Sequence, residues 1–338
     1  KEDDLLRCLK EQWEKEKKMI YKKIQFINDL KANEVVNDVF VVKFKKPVDQ
    51  YKNGYKFELR LGDSSKEIMY KLWGPTDEAL VQKLFDSIKT DGFVHIQGRV
   101  SEWNNNLEIS SNEIKQIQVV PIENVDLSDF IEKSKKNIDE MFSELKGYMN
   151  SVTNKDIKKF LDAILTDKFI NEFKNSPAAM YKHHGWIGGL LEHTLNVITI
   201  SVNALGIYKT LDRDLVIAGA FIHDIGKIDE FTVGSSIKVS EEGMLLGHIP
   251  LGIKRLEKVF ESIDIDPVLK LKLQHIVLSH HGCLEYGSPK VPAFPEAMLI
   301  YYADELDAKL NLMERMKEEA KTEDHYIYTK EFGNIYLK

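Results

Sequence analysis

The texture of this 338-residue chain changes once, at Pro121, and that change limits its possible folds more than any other feature. Before it come short runs rich in Val, Ile, Phe and Tyr, set between turn signals. After it, apolar residues recur at helical spacing. Val35–Phe44, Tyr55–Leu61 and Ile68–Trp73 read as three strands. The second is entered through an Asn53-Gly54 turn and the third is closed by Gly74-Pro75. Thr76–Thr90 reads as a helix, and Gly92–Val100 and Leu107–Val119 as two more strands joined by Asn104-Asn105-Asn106.

Three strands, a helix and two strands is the order of a five-stranded OB barrel, in which the helix lies between the third and fourth strands. In the second half, Asp126–Met149, Asp156–Phe173, Gly188–Leu205, Asp212–His223, Leu246–Ile263, Pro267–His280 and Pro295–Met316 have helical periodicity. Asp126 and Asp212 are placed as N-caps, and Pro267 and Pro295 as helix starts. The expected fold is α+β and multidomain. Residues 1–22 form a polar helix with a thin apolar stripe (Leu5, Leu6, Trp13, Ile20), 23–122 an OB-fold module, and 123–338 an all-α domain with a C-terminal tail.

With 43% hydrophobic and 30% charged residues the chain can build packed cores. It has no run of about 18 uncharged apolar residues, so no membrane-spanning helix is expected. The opening KEDDLLRCLKEQWEKEKK lacks the apolar core of a secretory signal and does not begin with Met, so a trimmed chain is expected. Cys8 and Cys283 make neither a CxxC pair nor a disulfide framework, which points to a reducing, cytoplasmic setting. A net charge of −7 argues against a broad non-specific grip on nucleic acid. The segment 21–120 alone carries +1, which leaves room there for a local groove.

Eight of the ten His fall between His183 and His281. A lone His is most often structural, but the context here is unusual. His223-Asp224 ends the apolar run VIAGAFIHDIGK, and Asp304 arrives in MLIYYADELDA. Buried ionic groups need partners to offset desolvation, and a divalent transition metal would gather imidazoles and carboxylates in a helical core.

The pattern His…His-Asp…His…His…Asp is similar to the HD superfamily of metal-dependent phosphohydrolases. The stretches HHGWIGGLLEHT, FIHDIGKIDEF, EEGMLLGHI, LSHHGCLEYGSPKVPAFPEA and ADELDAK resemble the YhaM-type 3′-to-5′ exoribonucleases, which join an OB module to an HD domain. The resemblance implies metal ligation by His193, His223, Asp224, His248, His280 and Asp304, with His281 as a further ligand. It implies two ions bridged by Asp224, a metal-activated water and in-line attack on phosphorus. Imidazole and carboxylate ligands suit Mn²⁺ first, and also Fe²⁺, Co²⁺ or Zn²⁺. Lys227, at i+4 from His223, would reach a phosphate oxygen. His183 and His184 would face the phosphate or else cap the Gly188-Gly189 turn, and Ser288 is a weaker phosphate contact.

In the barrel, Phe57, Tyr70 and Trp73 fall on the second and third expected strands, with Lys56 and Lys71 close by and Trp103 before the last strand. Exposed aromatics beside cations stack the bases of single strands, although Phe57 and Tyr70 also have the alternation of inward-facing residues. The expected activity is a 3′-to-5′ exonuclease on single-stranded RNA first and DNA second. The alternative is a phosphohydrolase of small nucleotides, such as cyclic dinucleotides or nucleoside triphosphates, with the barrel regulatory or docking. The N-terminal helix and the tail EDHYIYTKEFGNIYLK are candidate surfaces for a homo-oligomer.

Overall fold

Strand pairing in the first half closes on itself. Val35–Tyr51 (β1), Gly54–Gly62 (β2), Glu67–Trp73 (β3), Phe93–Trp103 (β4) and Asn106–Ser111 (β5) follow the order β1-β2-β3-β5-β4, and β4 returns to β1. β3 and β5 run parallel, while the other pairs of the ring are antiparallel. Glu78–Ser87 (α1) lies between β3 and β4, its first turn capped by the Asp77 carboxylate accepting from Leu80 N. This is the OB topology.

The computed structural model describes residues 21–103, 106–180, 184–320, 322 and 324–338. The expected helix 1–22 lies outside them apart from its last two residues, as do Cys8, Asn104, Asn105 and His183.

β1 outruns its expected end at Phe44. It pairs with β4 over Val35–Val41 and with β2 from Val41 to Tyr51. The register shifts between Val42 and Phe44, and again between Lys46 and Asp49. The second shift spans Pro47, which has no N–H to give a ladder, so the strand passes the proline by bulging. The expected last strand is in fact two. Gln116 Oε1 accepts from the backbone N–H of Asn112 and Glu113, folding a 3₁₀ turn at Ile114–Gln116. Beyond it, Ile117–Val120 (β6) pairs with β4.

Phe40, Phe57, Leu59, Leu61, Tyr70 and Ile96 fill the ring. The chain divides into two compact units after Glu132, with Gly234–Ser236 grouping with the first. The first unit continues past residue 122 because Val125 and Phe130 pack on Phe93, whose ring centroid is 4.8 Å from that of Phe130.

The second unit contains Ile138–Asn150 (α2), Lys155–Ile164 (α3), Asp167–Asn175 (α4), Gly189–Ala204 (α5), Arg213–Ile222 (α6), Lys227–Glu230 (α7), Glu241–Leu246 (α8), His248–Glu261 (α9), Pro267–Ser279 (α10) and Pro295–Glu319 (α11). α6 is buried from Asp214 to its end and flanked by α5, α10 and α11. Three expected helices are shorter or split. Asp126 caps only a 3₁₀ turn, and α2 starts at an Asn137 cap instead. Thr166 Oγ1 accepts from Phe169 N, ending one helix and starting the next. Gly247, with φ of +74°, separates α8 from α9.

Strand structure also persists where none was expected. Phe231–Val233 (β7) pairs with Ile237–Val239 (β8), and Tyr326–Thr329 (β9) with Gly333–Tyr336 (β10). Three or four residues are too few to register as alternation. No helix among the described residues is long and apolar enough to cross a membrane.

Candidate metal centre

Four imidazoles converge on one carboxylate in the second unit, and a fifth stands against one of them. His193 comes from α5, and His223 caps the end of α6 with Asp224 just after it. His248 opens α9, His280 caps the end of α10 with His281 next, and Asp304 lies on α11.

Asp224 Oδ2 is 3.4 Å from both His193 Nε2 and His223 Nε2. Asp224 Oδ1 is 3.4 Å from His280 Nε2 and 3.6 Å from His248 Nε2. Asp304 Oδ1 lies 3.1 Å from His193 Nε2, and His281 Nε2 lies 3.2 Å from His248 Nε2. The donors thus sort into two sets, His193–His223–Asp224–Asp304 and His248–His280–His281. The two oxygens of Asp224 face one set each.

The other ring nitrogens fix the protonation pattern. His223 and His280, each at a helix end, fold back so that Nδ1 donates to the carbonyl three residues earlier, Ala220 at 2.7 Å and Val277 at 2.8 Å. His281 Nδ1 donates to Tyr286 O at 2.9 Å. A carbonyl can only accept, so in all three rings Nδ1 carries the proton and Nε2 keeps its lone pair. His193 Nδ1 donates to Asp307 Oδ2 at 2.6 Å, and His248 Nδ1 faces Glu230 at 3.3 Å.

The Nε2 lone pairs of His223, His280 and His281 therefore point inward, and the Nε2 atoms of His193 and His248 face them. Two Nε2–Nε2 pairs, His193–His223 and His248–His281, stand 3.2 Å apart, and in each the second ring has no Nε2 proton to give. Neither oxygen of Asp224 nor Nε2 of His280 makes a hydrogen bond. Lys227 Nζ is 2.6 Å from Asp224 Oδ2 as an ion-pair partner, off the direction that a hydrogen bond needs.

Buried carboxylates that lack hydrogen bonds and imidazole lone pairs that face one another are reconciled by cations between them. Burial alone would raise the Asp224 pKa, but the Lys227 ammonium and the surrounding imidazoles hold it well below the carboxylate range. Asp304 is likewise held low against burial, first by its contact with His193. Burial lowers His280 and His281, which keeps them neutral and able to donate lone pairs. His193 moves the other way, because Asp224, Asp304 and Asp307 together outweigh its burial. Buried carboxylates beside imidazoles are a donor set for divalent transition metals.

Two expected roles and one expected placement need correction. His184 does not face the reacting region. It is fully buried, with Nε2 2.9 Å from Asp307 Oδ2, and so it orients the carboxylate that holds His193. Lys227 is not at i+4 on a continuous helix. α6 stops at Ile222, and Lys227 opens α7 after a turn that brings it back onto Asp224. Ser288 is buried and donates to Leu278 O at 3.0 Å, so its hydroxyl serves the loop.

Sequence reasoning missed the carboxylates around the ligands. Asp307 joins His184, His193 and Asn196, and Glu230 meets His248. Glu192 takes Trp186 Nε1, Ser134 Oγ and Lys136. Burial would raise Glu192, but contacts led by His184 and Ser134 bring it down to about 2. The only available signal was Asp307 standing one turn after Asp304.

The barrel residues divide. Phe57 and Tyr70 are 1% and 0% exposed inside the ring and offer no stacking face, as their strand alternation warned. Lys71 is ion-paired with Glu108 on the neighbouring strand. Trp73 is half-buried, edge-on to Tyr51 at 4.9 Å, with Lys56 over its ring at 5.3 Å. Trp103 is 68% exposed.

Several solved structures are similar to this chain. They include the p204 HINb domain (12% identity, 30% of this chain and 47% of that one, TM-score 0.22). A murine DNA-binding protein bound to double-stranded DNA matches at 11% identity (29% and 48%, TM-score 0.21). A replication protein A heterotrimer bound to single-stranded DNA matches at 19% identity (36% and 29%, TM-score 0.24). The chain spans less than half the length of each. Strand order, not these likenesses, defines the barrel. Residues 190–309 match the HD domain family, a superfamily of metal-dependent phosphohydrolases, so the two donor sets stand within an HD domain of the helical unit.

Proposed function

We propose that this chain is a metal-dependent 3′-to-5′ exonuclease that hydrolyses the phosphodiester bonds of single-stranded RNA, and of DNA less readily. The observation that carries the hydrolytic part is the convergence of four imidazole Nε2 atoms, all within 3.6 Å, on the two oxygens of Asp224, neither of which makes a hydrogen bond. His193, His223, Asp224 and Asp304 would hold one ion and His248, His280 and His281, with Asp224 shared, a second. Mn²⁺ is the first choice, ahead of Fe²⁺, Co²⁺ and Zn²⁺. When bound, such ions supply a nucleophilic water at neutral pH and neutralise phosphate oxygens.

The protein's own groups do the rest. Asp307 and Glu230 fix the tautomers of His193 and His248, and three backbone carbonyls fix those of His223, His280 and His281. Lys227 keeps its ammonium charged: burial opposes that charge, but Asp224 and Asp304 more than offset it. With Asp224 engaged in holding an ion, Nζ would be free to reach a non-bridging phosphate oxygen. The single-strand preference rests on the OB topology of the first unit and on two of its aromatics that are not sealed in the core, exposed Trp103 and half-buried Trp73.

One observation favours the small-nucleotide reading: two of the three aromatics expected on the binding face are sealed in the barrel core. End-labelled oligonucleotides incubated with the protein and Mn²⁺ decide between the two. A ladder shortened from the 3′ end is expected. Cleavage of cyclic dinucleotides with oligonucleotides left intact would replace the proposal with the alternative.

A further inference from the structure

Three tyrosines stand beside the metal centre without a role in the reading above. Gly282 follows His281 with φ of +79°, and a Cβ there would fall 2.2–2.6 Å from ring atoms of Tyr301. The ring of Tyr301 therefore lies directly on the bare backbone of the residue after His281. Tyr302 stands next to it, with ring centroids 4.7 Å apart and 61% of the residue exposed. Tyr286, whose carbonyl accepts from His281 Nδ1, is 59% exposed. Asp304 follows Tyr301 by one turn on α11, so rings and metal-facing groups share that helix and the turn after α10.

We propose that Tyr286, Tyr301 and Tyr302 form a shelf on which the base of the reacting nucleotide stacks, so that the site takes nucleoside-bearing phosphodiesters in preference to bare ones. The inference rests on the phosphohydrolase reading of the centre and deepens it. Exposed rings next to a phosphate-handling site suit a ligand that carries a flat ring one sugar away from its phosphate. Nearby charge suits a neutral ring as well. Lys309 is held charged first by its hydrogen bond to Glu305, with Tyr286 and Tyr301 within its electrostatic reach, so the cation beside the rings is already paired. Such a ligand also needs a flat surface that the barrel interior does not offer, since Phe57 and Tyr70 are sealed there. The close fit of Tyr301 on Gly282 holds one ring of the shelf in place before any ligand arrives.

The test measures equilibrium binding of adenosine 5′-monophosphate and of ribose 5-phosphate to the Mn²⁺-loaded full chain, alongside dinucleotide hydrolysis. Wild type is expected to prefer the nucleotide by roughly tenfold or more, the worth of one base stack. Tyr302→Ala and Tyr286→Ala sit on exposed side chains and should leave melting temperature, metal content and ribose 5-phosphate affinity unchanged while erasing most of that preference. Tyr302→Phe should keep it. A wild type that binds both ligands equally, or a preference that survives both Ala variants, overturns the shelf while leaving dinucleotide hydrolysis and the hydrolase reading intact. A protein that binds neither ligand and cleaves no phosphodiester overturns both.

Discussion

Asp224 is the residue on which the centre turns, because each of its oxygens faces a different set of imidazoles and neither has a hydrogen-bonded partner. Asp224→Asn keeps the shape and removes the charge. Hydrolysis is expected to fall to background and bound metal to drop below wild-type stoichiometry, as read by elemental analysis of the purified variant. Some loss of melting temperature should accompany it, because metal binding stabilises the fold. Full activity at wild-type metal content would sink the assignment. The groups that converge here were legible from the sequence because they sit at motif positions in otherwise apolar runs. Asp307, Glu230 and Glu192 were not, because a carboxylate that orients an imidazole has no fixed spacing from it. Glu230 reaches His248 from eighteen residues upstream, across the β7–β8 ribbon and α8.

At the scale of elements, the close approach of α7 to α9 brings His248 in. A Cβ on Gly226 would lie 1.9 Å from His248 O and 2.5 Å from Gly252 N, both backbone atoms that cannot rotate away. Gly226→Ala must push the two helices apart, carrying His248 away from Asp224. The expected result is weaker metal binding together with a lower melting temperature, while the same substitution at open Gly234 should leave both unchanged.

A second element-scale device ties α3 to α6. Asp214 accepts from Thr153 N, Thr153 Oγ1 and Asn154 N at 2.7–2.9 Å. Burial alone would raise its pKa, but those donors bring it below the ordinary value. The folded pKa is thus the lower one, and the contribution is complete above the unfolded value of about 3.9 and fades as pH falls towards the folded one. Asp214→Ala should cost about 1–3 kcal/mol near neutral pH. The gap to wild type should narrow below about pH 4, as thermal melts across that range would show. Helix positions were legible because their periodic runs are long. The breaks at Thr166 and Gly247 were not, since each depends on one cap or one left-handed residue inside an unbroken apolar pattern.

For the whole molecule, the first unit should govern how long strands are held and the second how they are cut. Trp103→Ala and Trp73→Ala are expected to weaken binding of long single strands by about 1–3 kcal/mol per lost stack, with dinucleotide cleavage and metal content unchanged. Phe57→Ala instead should destabilise the barrel by about 3–5 kcal/mol. Oligonucleotide affinity set beside thermal melts separates the two effects. Normal degradation of long strands by the stable Trp variants would show that the barrel does not guide substrate. The barrel's strand order was readable because turn signals punctuate it, and the alternation around Phe57 and Tyr70 already marked them as inward-facing, against their placement on the binding face.

Chain order adds a temporal consequence. Domains tend to fold as units, N-terminal first, during synthesis. The ring is complete once β5 is made, whereas the first donor set waits for Asp304, far along in α11. A nascent chain made only as far as α10 would present a finished barrel joined to a donor set that lacks Asp304, so on the proposed reading cutting would wait until α11 is made.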